Sequence, residues 1–304
     1  RLRKRKLNGW SMTDTVVAIL AAFMIAIVFY PLWYVFINSI SNANLVNAGK
    51  VNTIPLDIDW GAYTMILYDI EFWRSIAVTL FLCVAKSLLI LYCTVCVAYP
   101  LIRPNLKFRK VVVAILIASM YIDGGLIPSY ILMNRLHLYN TVWALILPGC
   151  VGAGNVMLLR VYMKSIGTEL MDAAFVDGAT NIQTLLKVIL PLSKPCMAVI
   201  SLQTVVGTWN SWFNANIYMP GRVWQPVQLY LSRLMDNMTQ YDPEDMSIFS
   251  SLPLAQQQKL IEDGIAATRI NYAAMLMLSL PLIIIYPFIQ KDLQQGIMVG
   301  SLKE

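Results

Sequence analysis

Residues 169–195 carry the most informative group of side chains in the sequence. Their types and spacing indicate a segment that binds another protein rather than a catalytic site. The stretch is a polar helix–glycine–helix segment between long apolar runs. Thr168 is expected to cap a first short helix, with Glu169 and Asp172 in its first turn, where the positive end of the helix dipole favours acids. Gly178 is expected to end that helix in a left-handed turn, which other residues adopt at a cost. Another protein could bind such a segment and move it.

A second short helix is predicted after the glycine. Thr180 and Gln183 have the T-x-x-Q spacing of a capping box, and Pro191 and Pro195 are expected to close the segment. The predicted apolar face consists of Ile182, Leu185, Leu186 and Ile189. An ordinary amphipathic hairpin at the membrane interface is the alternative, although such a hairpin needs neither the paired alanines at 173 and 174 nor the glycine.

A second group of side chains combines aromatic faces with amides, which can bind sugars by stacking and by hydrogen bonding. It comprises Trp209, Asn210, Trp212, Phe213 and Asn214. The alternative for these tryptophans is an aromatic belt at the membrane interface. An amide in a membrane, such as that of Asn210, needs a hydrogen-bond partner. Similar candidates are Tyr121, Asp123 and Tyr130.

Patterns for catalysis or cofactor binding are absent from the sequence. It has no G-x-x-x-x-G-K-[ST] phosphate-binding loop, and no nucleophile is paired with a base. Cys93 and Cys96 are spaced like a metal or redox pair. Without a second pair or a nearby histidine, they are predicted to be buried thiols. His137 is the single histidine, which is no metal site by itself. We therefore predict a chain that is not an enzyme and holds no metal or cofactor.

The elements that position these groups are predicted to lie in lipid. Hydrophobic residues make up 58% of the 304 residues and charged residues 13%, whereas soluble domains contain about 25% charged residues. The net charge of +6 does not indicate nucleic acid, because the positive residues flank apolar runs and set membrane topology. A membrane helix needs about 20 apolar residues. Six stretches qualify, at residues 15–37, 75–102, 111–133, 141–159, 196–218 and 271–289.

The predicted fold class is all-α, a polytopic membrane protein with six transmembrane helices. A basic N-terminus of residues 1–14 precedes a membrane domain of residues 15–291, and residues 292–304 form a tail. Within the membrane domain, two long connections are predicted: a loop of residues 164–195 that contains the docking segment, and an external loop of residues 219–270. The third span is the least regular, since Asp123-Gly124-Gly125 could start a re-entrant or external segment.

The distribution of Lys and Arg predicts the orientation of these spans. The N-terminus, the loop of residues 103–110, the stretch of residues 160–195 and the stretch of residues 291–304 together hold fifteen, and the alternate connections hold seven although they are longer. Both termini and the docking loop are therefore expected in the cytoplasm.

The docking segment resembles the "EAA" loop of importer-type ABC transporter permeases, whose pattern is roughly E-A-A-x-x-x-G followed by an apolar stretch and L-P-x-x-x-P. The chain has Asp172-Ala173-Ala174, then Gly178, Leu190-Pro191 and Pro195, with Asp in place of the usual Glu. The resemblance implies that this loop couples the permease to an ATPase. The residues implied in coupling are Glu169, Asp172, Ala173, Ala174, Asp177, Gly178 and Ala179.

The resemblance extends along the chain to sugar-importer permeases of the maltose-like group, and to those for alginate- and pectin-derived oligosaccharides. It includes residues 121–149 and 206–219, and the G-x-x-x-G-x-x-K pattern at Gly296, Gly300 and Lys303. The family implies a multi-pass protein of the bacterial plasma (inner) membrane that forms a heterodimer with a second related permease. It also implies two ATPase subunits that bind ATP and Mg, an extracytoplasmic solute-binding protein and an oligosaccharide cargo.

Lys86 is the charged residue within the predicted second span. It lies about 18 Å along that helix from Arg74, at a depth where a lysine costs at least about 2.5–3.5 kcal/mol. One hypothesis is that Lys86 faces the transport pathway and attracts the carboxylate of an acidic sugar. The alternatives are snorkelling, or pairing with the second permease.

Other functions stay open on the sequence alone. An ABC permease for a non-sugar solute would share the docking loop, and a secondary sugar transporter would need intramembrane carboxylates for ion coupling. A membrane scaffold is disfavoured by the glycines and prolines within the spans. The external loop of residues 219–270 is expected either to receive the binding protein or to cover the partner permease.

Overall fold

The computed structural model describes residues 12–103, 106–221, 223–239, 268–281 and 283–284. These residues are mostly helical, and among them β structure is limited to one isolated bridge between Ser41 and Ile58. The predicted all-α class is confirmed for this part of the chain. The chain divides into two compact units, one made of Arg1–Tyr68 with Leu234–Met277 and the other of Asp69–Arg233 with Leu278–Glu304.

The first unit contains α1 (Met12–Ile40), α2 (Ala43–Asn47) and α3 (Gly61–Tyr68). It also contains most of helix α15, which occupies residues 268–281. Apart from its last residues, α1 is exposed on all sides although it is apolar, so its surface suits lipid or another protein rather than water. The buried residues of this unit cluster around Ile37 and Val51.

An ion pair joins α15 to the segment before α3. The Arg269 guanidinium donates to Asp59 Oδ2, and Asp59 Oδ1 accepts from the backbone N–H of Gly61 at 2.8 Å. The backbone hydrogen bond from Gly61, followed by the bond from Arg269, lowers the pKa of the Asp59 carboxyl below its usual 3.8.

The second unit contains the remaining helices. They are α4 (Ile70–Ile102), α5 (Arg109–Ser119), α6 (Leu126–Arg135), α7 (Trp143–Ile146), α8 (Ala153–Ser165), α9 (Thr168–Val176), α10 (Asn181–Thr184), α11 (Leu190–Leu192), α12 (Lys194–Trp209), α13 (Phe213–Tyr218) and the first part of α14 (Val227–Thr239), up to Arg233. A π-helical segment, Leu185–Ile189, joins α10 to α11. The main apolar core packs α4 against α8, α12 and the docking segment, around Leu159, Met163, Ile189 and Ile200.

A second core lies further towards the start of α4. Val78 and Leu82 pack there with Leu145, Met219 and Leu229. The backbone N–H of Val227, the first residue of α14, donates to the buried Thr79 Oγ1 at 2.8 Å. The start of α14 is thereby fixed to α4.

Among the described residues, α1 and α4 are long and apolar enough to cross a membrane. A third span results if Asn181–Leu192 and Lys194–Trp209, which meet at 74°, count as one bent helix. The third predicted span, residues 111–133, is divided into α5 and α6. Its break contains Gly125 at a φ of 79°, and Asp123 Oδ1 accepts from the Gly125 N–H at 3.1 Å, which forms a turn.

The fourth and fifth predicted spans are also divided. Residues 141–159 form α7 and α8, and the break contains Pro148 and Gly149, the latter at a φ of 75°. Residues 196–218 form α12 and α13, with a break after Trp209. In the sixth, residues 271–289, the described part is helical at 271–281 and 283–284, and the rest lies outside the described residues. Residues 1–11, most of the external loop (240–267) and the tail also lie outside them.

Candidate functional site: a docking hairpin and a cavity inside the membrane helices

The docking hairpin, Thr168–Leu192, begins with α9. The sequence interpretation made Thr168 the N-cap, but the structure places Thr168 in the first turn and Gly167 at the cap position. Gly167 has a φ of 98°, a left-handed conformation that glycine adopts readily. Glu169 and Asp172 are exposed on this helix, as is Asp177 at its C-terminal end.

Gly178 ends α9 in a Schellman motif. Its φ is 81°, its N–H donates to Phe175 O at 3.0 Å, and the Ala179 N–H donates to Ala174 O at 2.9 Å. No described atom lies within 4 Å of the position that a Cβ on Gly178 would take. The glycine is therefore required by its backbone conformation and not by crowding.

The predicted capping box is confirmed. The Thr180 N–H donates to Gln183 Oε1 at 2.8 Å, and the Gln183 N–H donates to Thr180 Oγ1 at 3.3 Å. The chain then differs from the prediction, because the prolines do not close the segment. Pro195 lies in the first turn of α12, where its missing N–H costs little, whereas Pro191 lies inside the uninterrupted helical stretch Asn181–Leu192.

The hairpin has a buried side and an exposed apolar side. Met171 is 4% exposed and packs in the main core, whereas Val176 is 88% exposed. Ile182 and Leu186, predicted on the apolar face of the second helix, are also exposed, whereas Ile189 of the same predicted face is buried. Apolar side chains thus lie beside the acids on the outer surface of the hairpin.

Arg103 holds this hairpin to the end of α4. Its Nη2 donates to Tyr99 Oη at 2.8 Å and to Asn181 Oδ1, and Cζ lies 4.4 Å from the centroid of the Phe175 ring. Tyr99 Oη donates in turn to Asn181 O at 2.9 Å. The sequence interpretation used Arg103 only as one of the positive charges that set the membrane orientation, and it missed these contacts. The signal in the sequence was an aromatic residue one turn before an arginine at a helix end.

Lys86 and Asn214, two of the predicted pathway residues, line the same cavity. The cavity has a volume of about 50 Å³, and its other polar lining residues are Thr208 and Ser211. The remaining lining residues are Leu82, Ala144, Leu145, Pro148, Ala215 and Pro226. Such a space holds a few water molecules or a carboxylate group, but not a sugar ring.

The position of Lys86 argues against snorkelling. Lys86 lies midway along α4, about 24 Å from either end at 1.5 Å per residue. Its four-carbon stem does not reach a headgroup layer from the middle of a hydrocarbon core about 30 Å thick. Among the residues that the structure describes, none forms an ion pair with Lys86. The ammonium group therefore depends on the polar cavity for solvation.

The other pathway candidates of the 209–214 segment are not gathered around this cavity. Trp209 is 2% exposed, and its indole N–H donates to Leu278 O at 3.2 Å, so its ring is not available to a cargo in this conformation. Asn210 Nδ2 donates to Val206 O at 3.1 Å, within its own helix. Trp212 and Phe213 form an exposed edge-to-face pair with ring centroids 5.7 Å apart.

The candidates near α6 lie in two places. Tyr130 stacks on Tyr218 with ring centroids 6.3 Å apart and meets Tyr139 edge to face at 5.7 Å. A hydrogen bond with Tyr130 raises the pKa of the Tyr139 hydroxyl. Tyr121 and Asp123 lie in the exposed turn between α5 and α6. The structure therefore brings together Lys86 and Asn214, and separately an aromatic group around Tyr130.

Known proteins are similar to this chain over most of its length. No protein-family model matches the chain. LplC of Bacillus subtilis is 29% identical over 91% of this chain and 90% of its own length. The polygalacturonan/rhamnogalacturonan transport system permease protein YtcP of the same organism is 28% identical over 90% of this chain and 92% of its own length.

A solved structure is similar over nearly the whole chain. It is a crystal structure of a bacterial ABC transporter involved in the import of the acidic polysaccharide alginate. The match has a TM-score of 0.80 and 30% identity, and it covers 93% of this chain and 99% of the other. By this match and its relatives, the chain belongs to the carbohydrate permeases of bacterial ABC importers.

Proposed function

We propose that the chain is a transmembrane permease subunit that imports acidic oligosaccharides across the bacterial plasma membrane, driven by ATP hydrolysis in partner subunits. It pairs with a second related permease, with two ATPase subunits that bind ATP and Mg, and with an extracytoplasmic solute-binding protein. The chain is not itself the enzyme. Family membership sets aside a secondary transporter and a membrane scaffold.

The observation that supports coupling is the docking hairpin. Its buried side joins the main core, and its exposed side combines Glu169, Asp172 and Asp177 with the bare apolar side chains of Val176 and Ile182. A short helix that presents apolar side chains beside polar ones fits a groove on a partner protein. The seven proposed coupling residues, from Glu169 to Ala179, lie in α9 and in the turn that follows it.

In this mechanism, closure of the ATPases on ATP moves the hairpin, and the membrane helices alternate between inward-open and outward-open states. ATP shifts that equilibrium through its different affinities for the two states. The proposal includes six spans with both termini in the cytoplasm, some of them built from the broken helices described above.

A photoreactive residue in place of Val176 tests the docking. Assembled with its natural partner subunits, the variant is expected to form an adduct with an ATPase subunit. The control is the same residue in place of Val84, which is exposed on α4 within a proposed span. Equal adducts from both positions, or none from Val176, would contradict docking through the hairpin.

The Lys86 cavity supports an acidic cargo. An ammonium group in the middle of a span that meets no acidic partner among the described residues is costly unless it serves the pathway or meets a counter-charge elsewhere. The cavity accepts a carboxylate group beside Asn214 and Ser211, and a related importer carries an acidic polysaccharide. Lys86→Gln is expected to lower uptake of oligouronides more than tenfold and to spare neutral oligosaccharides. Unchanged oligouronide uptake would contradict the acidic cargo while leaving the docking proposal intact.

A further inference from the structure

The contacts of Arg103 connect three parts of the second unit that ATP-driven movement would otherwise separate. Arg103 directly follows α4, and its backbone N–H donates to Pro100 O at 3.1 Å. Phe175 belongs to α9, and Asn181 is the first residue of α10. One guanidinium thus contacts both sides of the turn that contains Gly178.

We propose that Arg103 is a positioning residue that clamps the docking hairpin to α4, so that movement of the hairpin is delivered to the middle of that helix. The clamp is the set of contacts that Arg103 makes with Tyr99, Phe175 and Asn181. The inference rests on the proposed function, because it presupposes that an ATPase subunit moves the hairpin.

Arginine suits this position for geometric reasons. Its Nη2 donates both to Tyr99 Oη and to Asn181 Oδ1, while the planar group also lies over the Phe175 ring, with Cζ 4.4 Å from the ring centroid. A lysine ammonium keeps the charge and can donate two hydrogen bonds, but it lacks the planar group that contacts the Phe175 ring. The Tyr99 hydroxyl completes the set by donating to Asn181 O at 2.9 Å.

Helix α4 connects the clamp at Arg103 to the cavity that Lys86 lines. Helix α4 is continuous from Ile70 to Ile102, and Lys86 lies about 25 Å along it from Arg103. A tilt applied at the Arg103 end therefore moves one wall of the cavity relative to Thr208 and Asn214, which lie on α12 and α13. The clamp joins the two halves of the proposed mechanism through one continuous helix.

The test measures the distance between hairpin and α4 in the complete importer in lipid nanodiscs. Spin-labelled noncanonical residues replace Leu170, an exposed residue of α9 outside the proposed coupling set, and Tyr92, which is exposed on α4. Without substitution at 103, a narrow distance distribution is expected, unchanged between the nucleotide-free and the ATP–vanadate states. Arg103→Met is expected to broaden it at least twofold, and Arg103→Lys to broaden it less. The matched control is Arg109→Met, which removes an arginine from the same connection and is expected to change nothing.

A second measurement separates positioning from general stability. The ratio of cargo taken up to ATP hydrolysed, with an oligogalacturonate as probe, is expected to fall about tenfold in Arg103→Met and about threefold in Arg103→Lys. If Arg103→Met does not assemble, Phe175→Leu and Asn181→Ala each remove one contact and are expected to broaden the distance partially.

The two proposals fail in different ways. An unchanged distance distribution in Arg103→Met would overturn the clamp even if the Val176 adduct forms. Absence of that adduct, with the distance broadened as expected, would overturn docking and leave the clamp as a fixed feature of the fold.

Discussion

Gly178→Ala isolates the contribution of one backbone conformation to energy coupling. The φ of 81° lies in the left-handed region, and no described atom crowds the new Cβ. The cost is therefore backbone strain alone, roughly 1–2 kcal/mol for a residue with a Cβ. That cost shifts the balance between an ordered and a frayed end of α9 by roughly 5- to 30-fold.

Fraying would break the two hydrogen bonds that close the helix, from Gly178 N–H to Phe175 O and from Ala179 N–H to Ala174 O. Because Phe175 also contacts Arg103, a loosened turn weakens the connection to α4. We expect cargo uptake per ATP hydrolysed, measured in proteoliposomes with the complete importer, to fall by up to that factor. Assembly of the complex is expected to persist, since α9 keeps Met171 in the core.

Two further substitutions control for strain as such. Gly178→Asn is expected to retain more coupling, because asparagine tolerates the left-handed region better than alanine. Gly49→Ala introduces the same kind of strain, at a φ of 65° with open space for a Cβ, in a turn outside the hairpin. An equal loss in Gly49→Ala, or full coupling in Gly178→Ala, would refute the role assigned to this turn.

Three other predictions follow from single interactions. Thr79→Val is expected to destabilise the protein by about 1–3 kcal/mol, because the buried Val227 N–H loses its acceptor; thermal unfolding in detergent measures this, and an unchanged midpoint would contradict it. Trp209→Phe is expected to lower the unfolding midpoint, because it removes the hydrogen bond to Leu278 O, and to leave the order of preference among cargoes unchanged. An altered preference in uptake competition would indicate that Trp209 contacts the cargo. The lowered pKa of Asp59 stabilises the fold fully above its unfolded value of 3.8, and this contribution is lost as pH falls towards the folded pKa. Asp59→Asn is expected to flatten the dependence of the unfolding midpoint on pH between about 5 and 3, and an equal slope in both proteins would contradict the assignment.

The hairpin was largely predictable because its rules are local. A capping box needs two residues at a fixed spacing, and a left-handed helix end needs a glycine, so Thr180, Gln183 and Gly178 could be assigned from the sequence. The N-cap was wrong because Gly167 and Thr168 are both acceptable cap residues, and the choice depends on how the chain leaves α8. The π-helical turn Leu185–Ile189 follows no comparable local pattern and was not predictable.

The spans were harder to predict because hydropathy indicates whether a segment lies in lipid or in water. It does not indicate whether that segment forms one uninterrupted helix. Residues 111–133 are apolar enough to cross a membrane, yet Gly125 and the turn at Asp123 divide them. Broken helices are tolerated in membranes where they line a cavity or pack on protein, and there neighbouring groups satisfy the freed backbone. The sequence contains the breaking residues, but hydropathy does not indicate which of them break a helix.

Lys86 shows what tertiary structure adds to a sequence that already marked the residue as unusual. The cost of burying an ammonium group predicts that it meets a partner, a cavity or a headgroup, and the sequence left these open. Because Lys86 lies at the midpoint of α4, its side chain does not reach a lipid headgroup. The cavity that it shares with Asn214 supplies a polar environment, and no acidic residue is among the described residues that line it. Because Arg103 directly follows α4, the charge proposed to select an anionic cargo and the clamp proposed to receive force belong to the same helix and its end. A permease built this way would sense the cargo and the ATPase through one element, so substitutions at Lys86 and at Arg103 should be non-additive in the ratio of uptake to hydrolysis.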